Sequence, residues 1–180
     1  GAALAHVLYP STGLRPLGDL DLLVEPRAAA RAQSVLASLG FASHAAADPA
    51  DEHHHLRAMT KVCENLVVRI EVHRDALSPD SRRTLSMRRL SGPPQTFQVQ
   101  GRLARALGHA DMLHHLCRHV SGCTIRLRLV WVADVVGYAA RYRDVIPWDE
   151  LRERWPFVLN ALSLLHLVEL QVMARTRRDA

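Results

Sequence analysis

The pattern of apolar and polar positions changes near residue 100 of this 180-residue chain. Before that point, segments with the two-residue alternation of strands are interspersed with segments of helical period. Beyond it nearly every apolar run repeats at helical spacing. We therefore predict an α+β chain with two domains: a mixed sheet flanked by helices at 1–100, followed by a C-terminal helical bundle at 101–180.

The first half predicts alternating helices and strands. The expected elements are a helix at 2–9, a buried strand at 20–24, a helix at 26–39, and paired strands at 54–60 and 66–73. Pro10 ends the first helix, Pro26 suits the first turn of the second, and Gly40 is a natural helix terminator. We expect the turn between the paired strands at 61–65 and a loop with a helical piece at 75–94.

The second half predicts a series of helices. The expected helical runs are 110–120, 125–142, 149–154 and 157–175. Gly122, Pro147 and Pro156 separate them, as residues that end or begin helices. Short connections between apolar helices favour a small bundle.

Two carboxylates, Asp19 and Asp21, lie at the start of the strand predicted at 20–24. Because strand side chains alternate between faces, both carboxylates point the same way, whereas Leu20 and Leu22 point into the core. Two negative charges so close repel each other unless a cation lies between them. The pair therefore predicts a metal site, with Mg²⁺ as the natural ion. Two solvent-facing carboxylates at a strand start are the alternative.

The strand predicted at 66–73 offers a third carboxylate. Its apolar face consists of Val68, Ile70 and Val72, and its polar face of Arg69, Glu71 and His73. If this strand lies beside the first, Glu71 completes a triad with Asp19 and Asp21. Such a triad could hold two divalent ions about 3.5–4 Å apart, the arrangement that stabilises attacking and leaving oxygens in phosphoryl transfer. An amphipathic strand with a polar outer face is the alternative.

Other histidines form weaker candidate sites. His53 and His55 lie two apart, so on a strand they could share one ligand. His115, His119 and Cys123 have helical spacing and could bind zinc, but Gly122 is expected to end the helix before Cys123. We therefore do not expect a zinc site there.

Composition narrows the class of protein. No apolar run reaches the roughly 18–20 residues needed to cross a bilayer, so we expect a soluble chain. Its first residues lack the basic start of a secretory signal and look like a helix already under way, which suggests a piece of a longer protein. The three cysteines are expected to be thiols in a reducing cytoplasm.

The net charge of +5 does not by itself indicate nucleic acid. Lys61 is the only lysine, and an arginine- and alanine-rich composition is what a high-GC coding sequence produces. We therefore do not expect a nucleic-acid partner. An RNA-binding domain using the arginines at 82, 83, 88 and 89 stays as a further hypothesis, although solvated charge in a loop explains them equally simply.

The motifs together resemble the uncharacterised nucleotidyltransferase family of the polymerase-beta-like superfamily. The matching residues are Gly1-Ala2-Ala3-Leu4, Tyr9, Arg15, the stretch 18–24, His54-His55 and the stretch 70–73, with further similarity at 113–119 and 127–134. In that superfamily a glycine-containing turn opens a helix, an Asp-x-Asp follows on the next strand, and a later strand supplies a third carboxylate.

The resemblance implies a nucleotidyltransferase-like sheet and a reaction. A nucleoside monophosphate, for which we expect AMP, would pass from a nucleoside triphosphate such as ATP to a hydroxyl of a small molecule, peptide or protein, releasing pyrophosphate. Asp19, Asp21 and Glu71 are implied as catalytic residues and ligands of Mg²⁺ or Mn²⁺. The residues implied to bind the nucleotide are Gly1, Ala2, Arg15, Gly18 and His73. The alternative is a catalytically inactive binding or regulatory module, since the Gly1-Ala2 turn lacks a serine hydroxyl.

Overall fold

The computed structural model describes residues 1–43, 54–77, 84–122 and 128–176. The chain divides into two compact units, 1–90 and 91–180. The predicted division into two domains, 1–100 and 101–180, stays a prediction. No helix within the described ranges is long and apolar enough to cross a membrane.

The first unit combines helices with a three-stranded sheet. Its elements are α1 (Ala2–Val7), β1 (Leu20–Leu23), α2 (Ala29–Ser38), β2 (Met59–Cys63) and β3 (Leu66–His73). The strand order is β1-β3-β2, with β1 parallel and β2 antiparallel to the central strand β3. The predicted mixed sheet flanked by helices is thereby confirmed.

Local sequence explains the limits of α2. Pro26 begins a 3₁₀ turn, Pro26–Ala28, that leads directly into the helix, and its fixed φ suits a first helical position. Gly40 has φ +87°, a left-handed conformation that glycine adopts without steric cost and that commonly ends helices.

Helix α2 packs against one face of the sheet. The buried cluster consists of Ala29, Leu36, Met59, Ile70 and Val72, with Leu20, Val24 and Val68 among the partly buried residues around it. The apolar face predicted for β3 is therefore correct, and the opposite face of β3 is left for polar side chains.

Two predictions for this unit are wrong. The strand expected at 54–60 begins at Met59 and runs to Cys63, because a short turn at Glu64, with φ 54°, suffices to reverse the chain. Leu22, expected in the core, is 42% exposed. It lies on an edge strand of the described sheet, beyond the cluster beneath α2.

The second unit contains a β-hairpin and a helical bundle. Its elements are β4 (Gln95–Val99), β5 (Arg102–Ala106), α3 (His109–Gly122), α4 (Leu129–Arg141), α5 (Trp148–Arg154) and α6 (Pro156–Thr176). The bundle is as predicted, but the pattern analysis missed the hairpin. Gln100 and Gly101 form its two-residue loop with φ 47° and 75°, the positive values that tight hairpins require.

Apolar side chains form the core of the bundle. The side chains of Leu113, Cys117, Val135, Leu151 and Val158 are fully buried. Burial raises the pKa of the Cys117 thiol to about 12, so this cysteine behaves as a small apolar residue.

Candidate active site

The register of β1 and β3 brings two predicted carboxylates together. In this parallel pair Asp21 lies opposite Glu71, and Leu23 lies opposite His73. Side chains at paired positions of neighbouring strands share a face of the sheet. Asp21 and Glu71, separated by fifty positions of sequence, therefore become neighbours on the face opposite α2.

His73 joins these carboxylates. Its Nε2 is 3.1 Å from Asp21 Oδ1 and 3.6 Å from Glu71 Oε2. Ligand atoms of Asp21, Glu71 and His73 all lie within 4.8 Å of one another. The Glu71 side chain is 11% exposed and that of Asp21 50% exposed, so the group opens to solvent on the Asp21 side.

Arg69 fixes the orientation of Glu71. Its Nε donates to Glu71 Oε1 at 3.0 Å, and its Nη2 donates to the same oxygen. The hydrogen bond and the charge of Glu71 raise the pKa of Arg69. One oxygen of Glu71 is thus held by the guanidinium, while the other faces His73.

The environment of His73 favours its protonated form. Burial by itself lowers the pKa of His73, but the hydrogen bond to Asp21, the charges of Asp21 and Glu71, and the Asp75 carbonyl together raise it above 6.5. These contacts hold His73 Nε2 against the two carboxylates.

Two further histidines lie against this group. The rings of His54, His55 and His73 have centroids 4.8–5.2 Å apart. His55 Nε2 is 3.9 Å from Glu71 Oε2. The sequence named His55 within the His54-His55 pair of the family resemblance and as a possible partner of His53, which lies outside the described residues, but it gave His55 no place beside Glu71. A bridge between His55 and His73 brings it to the site.

The start of the chain lies beside Asp21. A Cβ built at Gly1 would be 3.8 Å from Asp21 Oδ2 and 4.0 Å from the Asp19 carbonyl oxygen. Ala2 is the first residue of α1. The turn that was predicted to bind phosphate is therefore adjacent to the predicted metal ligand.

The other predicted site residues are less closely associated. Asp19 precedes β1; its charge contributes to the raised pKa of Arg69, but it is not part of the Asp21, Glu71 and His73 group. Arg15 is buried, with 8% exposure. Gly18 is exposed. Their roles stay predictions.

Comparison with known protein families shows to which family this chain belongs. A family model described as an uncharacterised nucleotidyltransferase matches residues 1–170. The chain belongs to this nucleotidyltransferase family. No curated protein and no solved structure matches it. Family membership supports nucleotidyl transfer as the general activity and a nucleotide as substrate.

In the described part of this nucleotidyltransferase, the other candidate sites bring together fewer of their predicted residues than the site around Glu71 does. The rings of His115 and His119 stack at 6.2 Å, but Cys123 lies outside the described residues. Arg88 is paired with Glu25 at 3.2 Å, and the arginines at 82 and 83 are also outside the described part. The carboxylate and imidazole donors around Glu71 are thus the best-defined group for binding a divalent cation.

Proposed function

We propose that this nucleotidyltransferase moves a nucleoside monophosphate, specifically AMP from ATP, to a hydroxyl of a small molecule, peptide or protein. The observation that carries the proposal is the pairing of Asp21 with Glu71 across parallel strands in a chain of this family. A paired aspartate and glutamate on one sheet face suits phosphoryl chemistry, because both can ligate divalent cations.

The donor set fits a divalent cation. Asp21, Glu71 and His73 offer ligand atoms close enough to share one ion, and Asp19, which lies just before β1, would add a further carboxylate. When bound, Mg²⁺ or Mn²⁺ would neutralise phosphate charge and stabilise the pyrophosphate leaving group. The chain's own role is to hold Asp21, Glu71 and His73 on one face of the sheet, with Glu71 oriented by Arg69.

The triphosphate would lie on the Gly1 side of the site. Backbone amides at Gly1 and Ala2 would donate to phosphate oxygens beside Asp21, since the N–H groups and the dipole at the start of a helix favour an anion. Arg15 and Gly18 belong to the connection between α1 and β1, with Arg15 supplying positive charge and Gly18 allowing close approach.

In the reaction, the acceptor oxygen forms a bond to the α-phosphorus while the bond from that phosphorus to the bridging oxygen breaks. Pyrophosphate leaves, and the hydroxyl proton passes to a base. Glu71 lies on this face of the sheet and is our candidate for deprotonating the acceptor, and His73 would orient the acceptor or the ion. A reducing cytoplasm would supply ATP and keep the thiols reduced.

The first test is thermal unfolding with Mg²⁺ and α,β-methylene-ATP, which cannot release pyrophosphate. A ligand at a hundred times its Kd stabilises by about 2.7 kcal/mol, which raises Tm by roughly 5–10 °C for a chain of this size. Asp21→Asn and Glu71→Gln should abolish this shift. Asp144→Asn removes the same charge from a side chain that is 85% exposed and should keep it.

A full shift in both Asp21→Asn and Glu71→Gln would exclude this nucleotide site. A normal shift with no transfer of label from α-labelled ATP to any acceptor would instead favour the catalytically inactive module. That alternative rests on Ala2, which offers no hydroxyl to the phosphates. Label transferred from the γ-position would indicate phosphoryl rather than nucleotidyl transfer.

A further inference from the structure

A histidine pair extends the donor set around Asp21 and Glu71. His55 and His73 pair through an isolated antiparallel bridge, and their ring centroids are 5.1 Å apart. The Nε2 atom of His73 faces both Asp21 and Glu71, and that of His55 faces Glu71. His73 Nε2 lies 3.1 Å from Asp21 Oδ1 and 3.6 Å from Glu71 Oε2. His55 Nε2 lies 3.9 Å from Glu71 Oε2.

The other nitrogen of each ring contacts a main-chain carbonyl. His55 Nδ1 is 2.8 Å from the Leu56 oxygen, and His73 Nδ1 is 3.3 Å from the Asp75 oxygen. Metal-binding histidines usually donate their second N–H in this way, which fixes the tautomer and the ring orientation. With Nδ1–H donated, a neutral ring directs the Nε2 lone pair at carboxylate oxygens. That contact is favourable only when a proton or a cation lies between them.

The spacing of these atoms suits a shared ion. Around a cation with metal–ligand bonds of about 2.1 Å, neighbouring ligand atoms are roughly 3.0–3.4 Å apart. The two distances from His73 Nε2 to the carboxylates, 3.1 and 3.6 Å, are close to this range. His55 Nε2 lies farther out, 3.9 Å from Glu71 Oε2 and outside the group whose ligand atoms all lie within 4.8 Å of one another, so its side chain would rotate inward to join the ion.

We propose that Asp21, Glu71, His55 and His73 form a mixed nitrogen and oxygen site for a divalent transition-metal ion, in preference to Mg²⁺. Imidazole nitrogen suits Mn²⁺, Co²⁺ and Zn²⁺, whereas Mg²⁺ favours an octahedron of oxygens and gives up water reluctantly. The inference rests on the metal role in the proposed function and names the class of ion. It differs from the carboxylate triad expected from the sequence, because two ligands are histidines.

The test measures Mn²⁺ binding to the full, untagged chain without nucleotide. The concentration of free Mn²⁺ is measured by electron paramagnetic resonance. Imidazole ligation is detected as ¹⁴N modulation of the electron spin echo of the bound ion. We expect one tight site with ¹⁴N modulation, and displacement by Mg²⁺ only at a hundredfold excess or more. His55→Gln and His73→Gln should each weaken Mn²⁺ binding by at least the roughly 10–100-fold that loss of an outer-shell partner costs, because each removes a direct ligand.

Matched variants separate this site from surface histidines. His6→Gln removes an exposed histidine on α1 and should leave affinity and modulation unchanged. His119→Gln disrupts the stacked pair on α3 and should do the same. His73→Asp replaces a nitrogen donor by oxygen. It should retain a bound ion, reduce the ¹⁴N modulation and shift preference toward Mg²⁺, which keeps the test informative if His73→Gln fails to fold.

Bound Mn²⁺ without ¹⁴N modulation would overturn the inference, as would displacement by equimolar Mg²⁺ or unchanged binding in both glutamine variants. These outcomes are distinguishable from failure of the proposed function because nucleotide is absent. Loss of nucleotide binding alone leaves the metal result standing. Nucleotide binding that is equally supported by Mg²⁺ and Mn²⁺ would contradict only the metal preference.

Discussion

Replacing Val72 with alanine tests whether the face of β3 opposite the candidate site is anchored as the structure indicates. Val72 is 1% exposed and lies between Glu71 and His73. The change removes two buried methyl groups and leaves a cavity, which should cost about 2–3 kcal/mol. For a unit of this size, with stability of roughly 5–13 kcal/mol, that is a substantial fraction of the free energy of unfolding.

The same strand supplies the control. Val67 is 62% exposed, so Val67→Ala makes an identical chemical change without opening a cavity and should cost at most about 0.5–1 kcal/mol through strand propensity. Urea unfolding followed by far-ultraviolet circular dichroism gives both values, and the dependence on urea should stay unchanged. If Val72→Ala costs no more than Val67→Ala, the assignment of faces on β3 is wrong, and with it the position of Glu71.

Two further predictions concern the helical unit. Asp111 is fully buried and accepts hydrogen bonds from the amide (2.8 Å) and the hydroxyl (3.0 Å) of Ser91. Asp111→Ala should therefore lower the free energy of unfolding at pH 7 by about 2 kcal/mol. Urea unfolding followed by tryptophan fluorescence measures this change. Burial raises the pKa of Asp111 above 3.8, so the stability linked to its titration is fully present below pH 3.8 and is lost as pH rises through the folded-state pKa. The cost of the substitution should therefore grow as the pH is lowered from 7 toward 3.8, and a cost that shrinks would refute this sign. The pKa of Cys117 is raised to about 12, so at pH 8 a thiol reagent should label the exposed Cys63 quickly and Cys117 only after unfolding. The labelling is measured in a Cys123→Ser background. Comparable labelling rates of Cys63 and Cys117 in the native protein would contradict the burial of Cys117.

Strong local signals made much of the fold predictable. The alternation in 66–73 identified β3 and its buried face, and helical period identified the bundle. The hairpin at β4 and β5 was missed because Gln100-Gly101 is a weaker turn signal than Asn-Gly or Asp-Gly. The strand expected at 54–60 was misplaced because apolar spacing alone does not fix where a hairpin turns.

The candidate site was predictable in its residue types but not in its membership. Asp21 and Glu71 were identified from strand parity, which is a local property of each segment. His55 acquired its place only through the bridge with His73, and the separation of Asp19 from the Asp21 group depends on where β1 begins. Neither the bridge between His55 and His73 nor the start of β1 has a signature within a short window of sequence.

The sequence by itself determined which carboxylates are candidates for the site and which face of β3 is buried, because alternation and side-chain type are encoded residue by residue. Only the tertiary structure decided which donors meet. The parallel register of β1 and β3 aligns Asp21 with Glu71, and the bridge at His73 adds His55. Register is set by the packing of the whole sheet against α2, and that packing joins residues far apart in the chain.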